Sequence, residues 1–165
     1  MLRLVTEQDV EPTAPLVTED VAANLSTWPS PMSEQQVLER VRRSQDLVAA
    51  RQAIDFAIVD RLSERLLGWI GMGMIEGGAA RLGYWLGAPF RNRGIMKEAG
   101  AAVVPAAAWF LRVTRVKALV LKGNAASIAV LENLSFVADG EEIVLIETTG
   151  ERASCLRYWR TIETK

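Results

Sequence analysis

Between Gly83 and Ala99 the chain reads Gly83-Tyr84-Trp85-Leu86-Gly87-Ala88-Pro89-Phe90-Arg91-Asn92-Arg93-Gly94-Ile95-Met96-Lys97-Glu98-Ala99. A short apolar strand runs into a tight basic loop and then into an alanine-rich helix. A glycine at the loop-to-helix junction lets main chain approach a ligand without a side chain in the way. The first turn of a helix carries N–H groups with no internal partner, and the helix dipole adds partial positive charge there. Arg91 and Arg93 add full charges. Arg91, Asn92, Arg93, Gly94, Ile95 and Met96 therefore predict a phosphate cradle, and the ligand predicted is a cofactor with a pyrophosphate. The same residues also suit a basic turn that caps a helix and does nothing else.

Other nucleotide motifs are missing. The chain holds no Gly-x-x-x-x-Gly-Lys-Ser/Thr string, which a Walker loop needs. The second glycine cluster, Gly68, Gly71, Gly73, Gly77 and Gly78, lies in and just after the apolar run Leu66 to Ile75. No helical pattern follows it, so it is not a dinucleotide fingerprint. These glycines read as strand positions with a bulge or close backbone contact, ending in a turn at Gly77-Gly78.

Composition narrows the chemistry further. The chain has 165 residues, half of them hydrophobic, a formal charge of −1 and no histidine. That length suits a single domain spanning 1–165 with a substantial core. A near-neutral balance does not suggest a nucleic-acid partner. Without histidine, Ser-His-Asp and Cys-His catalysis and most zinc chemistry are excluded. The lone cysteine, Cys155, rules out an internal disulfide and offers no metal cluster. It sits among strand residues and is expected to be buried and inert. The N-terminus turns polar within a few residues, so no secretory signal is read. The longest apolar run, Ala99 to Leu111, is too short for a bilayer and carries Pro105. The expectation is a cytoplasmic protein with no membrane partner.

At this point the motifs resemble a known family. Arg91-x-x-Gly94-x-Met96 is similar to the acyl-CoA pyrophosphate loop of the GNAT superfamily of N-acetyltransferases, whose pattern is Arg/Gln-x-x-Gly-x-Gly/Ala. Met96 departs at the last position, as in the Gly-Ile-Met-x-x-Ala variant of the RimJ/RimL-like branch. Four more segments agree in order. Leu2-Arg3-Leu4 with Thr6-Glu7-Gln8-Asp9 resembles the opening strand and helix start, and Trp28-Pro29 the substrate-side loop. Gly83-Tyr84-Trp85-Leu86 resembles the strand that meets pantetheine. Asn124-Ala125-Ala126-Ser127 with Glu132-Asn133-Leu134-Ser135-Phe136 resembles the helix beside the cofactor. The resemblance covers nearly the whole chain.

The resemblance implies transfer of an acetyl group from acetyl-CoA to a primary amine, a protein N-terminus or a small molecule, by direct attack with both substrates bound. It implies contacts to coenzyme A from Tyr84, Trp85 and Leu86, from the loop Arg91 to Met96, and from Asn124 and Ser127. Backbone N–H groups near Tyr84 to Leu86 would meet the developing oxyanion. Many members place a tyrosine acid seven residues after the asparagine, but that position here is Leu131. Ser127, one turn earlier on the same face, resembles the serine used beside the thiol, and it equally suits helix-start chemistry under an Asn124 cap. Tyr158 is a second, less favoured donor. Members often carry a glutamate base two residues before the Gly-Tyr pair, and that position is Arg81, which cannot act as a base at neutral pH. Glu76 is the candidate base upstream, with a solvated turn carboxylate as its plainer reading. Trp28, Trp85 and Arg81 are the candidate acceptor-binding residues, whereas Trp69, Trp109 and Trp159 are assigned to packing. Members often dimerise, which keeps a homodimer among the expectations. Leu131 and Arg81 together support an alternative, a non-catalytic acyl-CoA-binding module.

The elements that must position these residues can be read in order. Leu2 to Val5 predicts a strand, with Thr6 and Asp9 at capping-box spacing. Pro12 and Pro15 break up the helical stretch Val10 to Leu25. After the loop Trp28-Pro29-Ser30-Pro31, Ser33 and Gln36 cap a helix whose Val37, Leu38, Val41 and Leu47 share a face. Ile54 to Asp60, Leu66 to Ile75 and Ala79 to Leu86 predict strands. A helix follows from Gly94 to Leu111, kinked or divided at Pro105. Val116 to Leu121 predicts a central strand, and Asn124 opens a helix ending near Leu134. Ile143 to Glu147 and Leu156 to Ile162 predict a closing hairpin. This is an α+β pattern, and the resemblance implies the GNAT fold, a mixed, mostly antiparallel sheet of about seven strands with about four helices.

Overall fold

The apolar runs Leu66–Ile75, Ala79–Leu86 and Arg115–Leu121 lie side by side in the middle of one sheet in the computed structural model, which describes residues 1–163. The seven strands are β1 (Leu2–Leu4), β2 (Ala53–Val59), β3 (Leu66–Ile75), β4 (Ala79–Leu86), β5 (Arg115–Leu121), β6 (Val137–Ile146) and β7 (Glu151–Thr161), in the order β1-β2-β3-β4-β5-β7-β6. Every neighbouring pair is antiparallel except β4 and β5. The five α-helices are α1 (Val10–Thr13), α2 (Glu19–Ala22), α3 (Glu34–Ala49), α4 (Ile95–Leu111) and α5 (Ala125–Asn133).

Two apolar cores cover the two faces of the sheet. On one face Met96, Ala99, Val103, Val104 and Ala107 of α4 join Ile54, Ile58, Ile70, Met72 and Leu82 of the strands. On the other, Val37 and Val41 of α3 and Val17 and Val21 of the N-terminal segment join Ala57, Val59, Trp69 and Trp85. Strand residues alternate between the two cores, as the period of two requires. The α3 start follows its capping box: the Ser33 hydroxyl accepts from the Gln36 N–H at 3.2 Å, and the Ser33 N–H donates to Gln36 Oε1 at 2.9 Å.

The N-terminal stretch is divided as its prolines demand. Pro12 sits in the first turn of α1, where a missing N–H costs nothing, and Pro15 lies in the short 3-10 turn Ala14–Leu16 that follows. The described residues thus hold five α-helices, against an expectation of about four. Asp9 anchors this region. Its carboxylate is 1% exposed, receives two bonds from the Arg3 guanidinium at 2.7 Å, and accepts from the Thr6 N–H at 2.8 Å.

Three expectations need correction. Helix α4 runs through Pro105 without division. Pro105 lies on its exposed side, where water can take up the carbonyl that the proline leaves unpaired. The closing hairpin is longer than its apolar residues indicate, since β6 starts at Val137 and carries Asp139, Gly140, Glu141 and Glu142. It is the edge of the sheet, where charged side chains stay hydrated. A register shift between Ala138 and Glu141, with Gly140 at φ +83°, further disguises the strand. Trp109, assigned to packing, is 81% exposed on α4. Trp69 is buried and Trp159 lies under the Arg115 guanidinium at 4.3 Å. Among the described residues no helix is long and apolar enough to cross a membrane.

Replacing Asp9 by Ala removes one partner of a buried ion pair and strands the Thr6 N–H. The expected loss is about 2–3 kcal/mol of unfolding free energy, measured by urea denaturation. Glu7→Ala, which removes an exposed pair with Arg42, should cost less than about 0.5 kcal/mol in the same measurement.

Candidate functional site

The parallel pair β4–β5 is joined at only two register positions, Ala80 with Val116 and Arg81 with Lys117. Beyond them Leu82–Leu86 and Ala118–Leu121 have no partner across the junction. The strands separate there, and peptide groups facing the gap are left without ladder partners. A cavity of about 610 Å³ fills the gap, a size typical of small-molecule sites. Its lining comes from both faces of the sheet: Leu82, Tyr84, Met96, Asn124 and Ser127 on the α4 and α5 side, and Trp28, Asp55, Gly71, Gly83 and Trp85 on the α3 side.

The predicted cradle forms one mouth. Gly94 is the N-cap of α4 at φ +74°, a left-handed conformation that favours glycine. A Cβ there would meet nothing within 4 Å. Asn92 is also left-handed, at φ 59°. Two left-handed residues, one on each side of Arg93, bring the loop round so that the unpaired N–H groups of the α4 first turn border the cavity. Asn92, Arg93 and Gly94 are exposed, and Ile95 is half-buried. Met96 is different: its side chain is in the core, leaving its main chain to the cradle. Arg91 is already engaged. It pairs with Asp20 of α2 at 2.5 Å and donates from Nε to the Leu86 carbonyl at 3.3 Å.

Asn124 caps α5, accepting from the Ser127 N–H at 3.1 Å. The Ser127 hydroxyl lies 2.8 Å from the Tyr84 hydroxyl across the gap, and the phenol also approaches the Ser127 carbonyl at 3.3 Å. Burial pushes the Tyr84 phenol up to about 12, against a smaller lowering by the Ser127 bond. At neutral pH both groups therefore carry their protons. Leu131 is packed in the core at 1% exposure, and Tyr158 at 3%, so α5 and β7 bring no second hydroxyl to this wall. Cys155 lines the cavity from β7, and burial raises its thiol.

On the α3 face, Trp28 stands edge-on to Trp69 and Trp85, with both centroid distances 5.2 Å. The Arg40 guanidinium covers Trp28 at 4.4 Å and donates to the Thr27 carbonyl. Arg81 is exposed at the rim of the cavity. Glu76, the candidate base, is not part of the lining; it sits exposed at the outer end of the β3–β4 hairpin. The acid that does line the cavity is Asp55, which the sequence reading passed over. Burial raises its carboxyl, opposed by the neighbouring Ser44 hydroxyl and the Arg40 charge. Ser44 Oγ has no hydrogen bond of good geometry, so its effect on Asp55 is one of proximity. A single carboxylate inside Ala53-Ile54-Asp55-Phe56-Ala57 was the available signal, because acids are seldom kept in apolar strands without a use.

Comparison with known proteins agrees with this geometry. Residues 1–137 match the model of the acetyltransferase (GNAT) domain family. Among curated proteins, the uncharacterized N-acetyltransferase p20 of Bacillus licheniformis is 31% identical over 107 residues, covering 64% of this chain and 60% of that protein. The probable N-acetyltransferase YjcK of Bacillus subtilis is 31% identical over 105 residues, covering 62% and 58%. The matched region thus spans about three fifths of the length of these relatives. Among solved structures, RimL, a ribosomal L7/L12 alpha-N-protein acetyltransferase in complex with coenzyme A, superposes with a TM-score of 0.84 at 24% identity, covering 98% of this chain and 93% of that one. RimJ of Mycobacterium smegmatis gives 0.81 at 18%, covering 97% and 80%. These structures share the fold over nearly the whole chain, and the chain belongs to the acetyltransferase (GNAT) domain family.

Proposed function

We propose that the chain is an N-acetyltransferase that takes the acetyl group from acetyl-CoA and delivers it to a primary amine, of a protein N-terminus or a small molecule. One observation carries this reading: a single cavity passes through the β4–β5 gap and reaches both faces of the sheet. The donor set at the α4 mouth suits a diphosphate, because it combines free N–H groups, Arg93 and open space over Gly94 that a Cβ would fill. Asn92, Arg93 and the main chain of Gly94, Ile95 and Met96 would hold that group. Tyr84, Trp85 and Leu86 would align the pantetheine arm along the open edge of β4, and Asn124 would add a side-chain amide. Bound there, acetyl-CoA supplies the thioester whose acetyl group is transferred.

The chain's own residues then account for the proton traffic. Ser127 holds a hydroxyl proton at the cavity wall, and Tyr84, at 2.8 Å, is placed to replace it. Trp28 and Trp85 wall the opposite mouth against water, and Arg81 at its rim favours an acceptor with an anionic or carbonyl group beside the amine. The similarity to RimL, an alpha-N-protein acetyltransferase, supports an N-terminal amine as acceptor. A second reading, a coenzyme-A-binding module without turnover, draws on Leu131 and Arg81 at the positions where members carry their acid and base. Acetyl-CoA-dependent thiol release against N-terminal peptides, polyamines, aminoglycosides and amino acids separates the two. Turnover of at least one amine is expected, and stabilisation by coenzyme A without thiol release from any would favour the module.

Gly94→Glu should abolish the thermal stabilisation produced by coenzyme A while the protein stays folded, since a carboxylate would enter the cradle. Gly94→Ala serves as the control for left-handed strain and should melt only slightly earlier, at a cost of about 1 kcal/mol. Ser127→Ala should lower turnover about tenfold to a hundredfold with little change in coenzyme A affinity. Tyr84→Phe should do likewise, and the double variant should lose no more than the worse single one, because paired groups do not add.

A further inference from the structure

Residues in register across the sheet form a row from β2 through β3 to β4: Asp55 opposite Gly71, and Gly71 opposite Gly83. All three lie on the α3 face, where the cavity has its Trp28 mouth. The Asp55 carboxylate leans over the middle strand. A Cβ built on Gly71 would come within 1.8 Å of Asp55 Oδ1 and 2.8 Å of the Ile54 carbonyl oxygen. The Ile54 carbonyl leaves no room for a side chain at Gly71, and the Asp55 carboxylate lies in the space above it. Gly83, one strand further, has nothing within 4 Å of its absent Cβ. The space over Gly83 is open, borders the β4–β5 gap, and lies about 5 Å, one strand spacing, beyond the strand that the carboxylate overhangs.

The carboxylate neighbours the Ser44 hydroxyl but has no counter-ion. Among the described residues it forms no ion pair within 4 Å. Arg40, whose charge acts on it, is committed to the Trp28 ring and the Thr27 carbonyl. A largely buried anion without a counter-ion is costly, and a cation entering the cavity removes that cost.

We propose that Asp55 is the seat of the acceptor's cationic amine: the ammonium sits between the Asp55 carboxylate and the open space over Gly83 and hydrogen-bonds to the carboxylate, which takes its proton. This rests on the acetyltransferase reading and adds to it the group that Arg81 and Glu76 do not provide. The proton balance is simple. One N–H bond of the ammonium breaks, its electron pair stays on nitrogen as the attacking lone pair, and the proton is held on an Asp55 oxygen until it passes to water. Burial, which raises this carboxyl, makes it a better proton acceptor than an exposed acid. The ligand class is a primary ammonium, and the row discriminates against neutral isosteres.

The test uses Asp55→Asn, which keeps shape and removes charge, and Gly83→Ala, which fills the seat without touching Asp55. Binding of alanyl tripeptide amides and of spermidine to the coenzyme-A-saturated protein is measured by calorimetry, with the N-acetylated forms as uncharged probes. The wild-type protein should bind at least one free amine and favour it over its N-acetylated form at least tenfold. Asp55→Asn should lose that preference, and Gly83→Ala should weaken the amine about tenfold, while the stabilisation by coenzyme A stays as in wild type for both. Where turnover is observed, Asp55→Asn should lower kcat/KM for the amine by about a hundredfold. Equal amine binding by wild type and Asp55→Asn, or no amine binding by wild type, overturns the assignment. Thiol release is read separately: its absence from wild type argues against the acetyltransferase reading, and its persistence in Asp55→Asn within twofold argues against Asp55 alone.

Discussion

The separation of β4 from β5 is the constraint on which the site depends. A parallel pair that stayed in register along its length would close the sheet and leave no passage. Two paired positions hold the strands together at one end, and the rest of each must be supported from elsewhere. β4 is tied to β3 along its full length, and β5 to β7 along its full length. The sheet therefore behaves as two well-bonded halves joined at a short seam. The unpaired peptide groups along the seam's open edge are the cost of the arrangement, and they face the cavity where a ligand can meet them.

The two faces of that opening differ in chemistry because the strand period sorts their residues. Even-numbered positions of β4 turn Leu82 and Tyr84 to the α4 and α5 side, where Ser127 waits at hydrogen-bond distance. Odd-numbered positions turn Arg81, Gly83 and Trp85 to the α3 side, with its three tryptophans and Asp55. One face carries neutral hydroxyls and main-chain donors. The other carries a carboxylate and aromatic walls. The same eight residues of β4 contribute to both.

What could be read from sequence was local along the chain. The loop and helix start from Arg91 to Met96, the Asn124 cap and the Ser33 capping box each depend on residues within a few positions of one another. The strands of the interior announced themselves by apolar content. What escaped was fixed by contacts distant in sequence. Asp55 acquires its place only through register with Gly71 and Gly83, which no local pattern encodes. Arg91 looked free for a ligand, yet its partner Asp20 lies 71 residues away. The first half of the edge strand β6, Val137 to Glu142, escaped because it is rich in charge, and its charges find partners across the sheet, Glu142 with Lys117 at 2.6 Å and Glu141 with Lys122 at 2.7 Å. Trp109 was misread because aromatic residues usually fill cores, whereas this one faces solvent.

The short seam between the two half-sheets has a geometric corollary. Molecules arriving from opposite sides of the sheet share no doorway, so neither shape obliges one to precede the other or to wait for its departure. A single compound that spans both vestibules must pass between the edges of β4 and β5, with its bulk at the two ends.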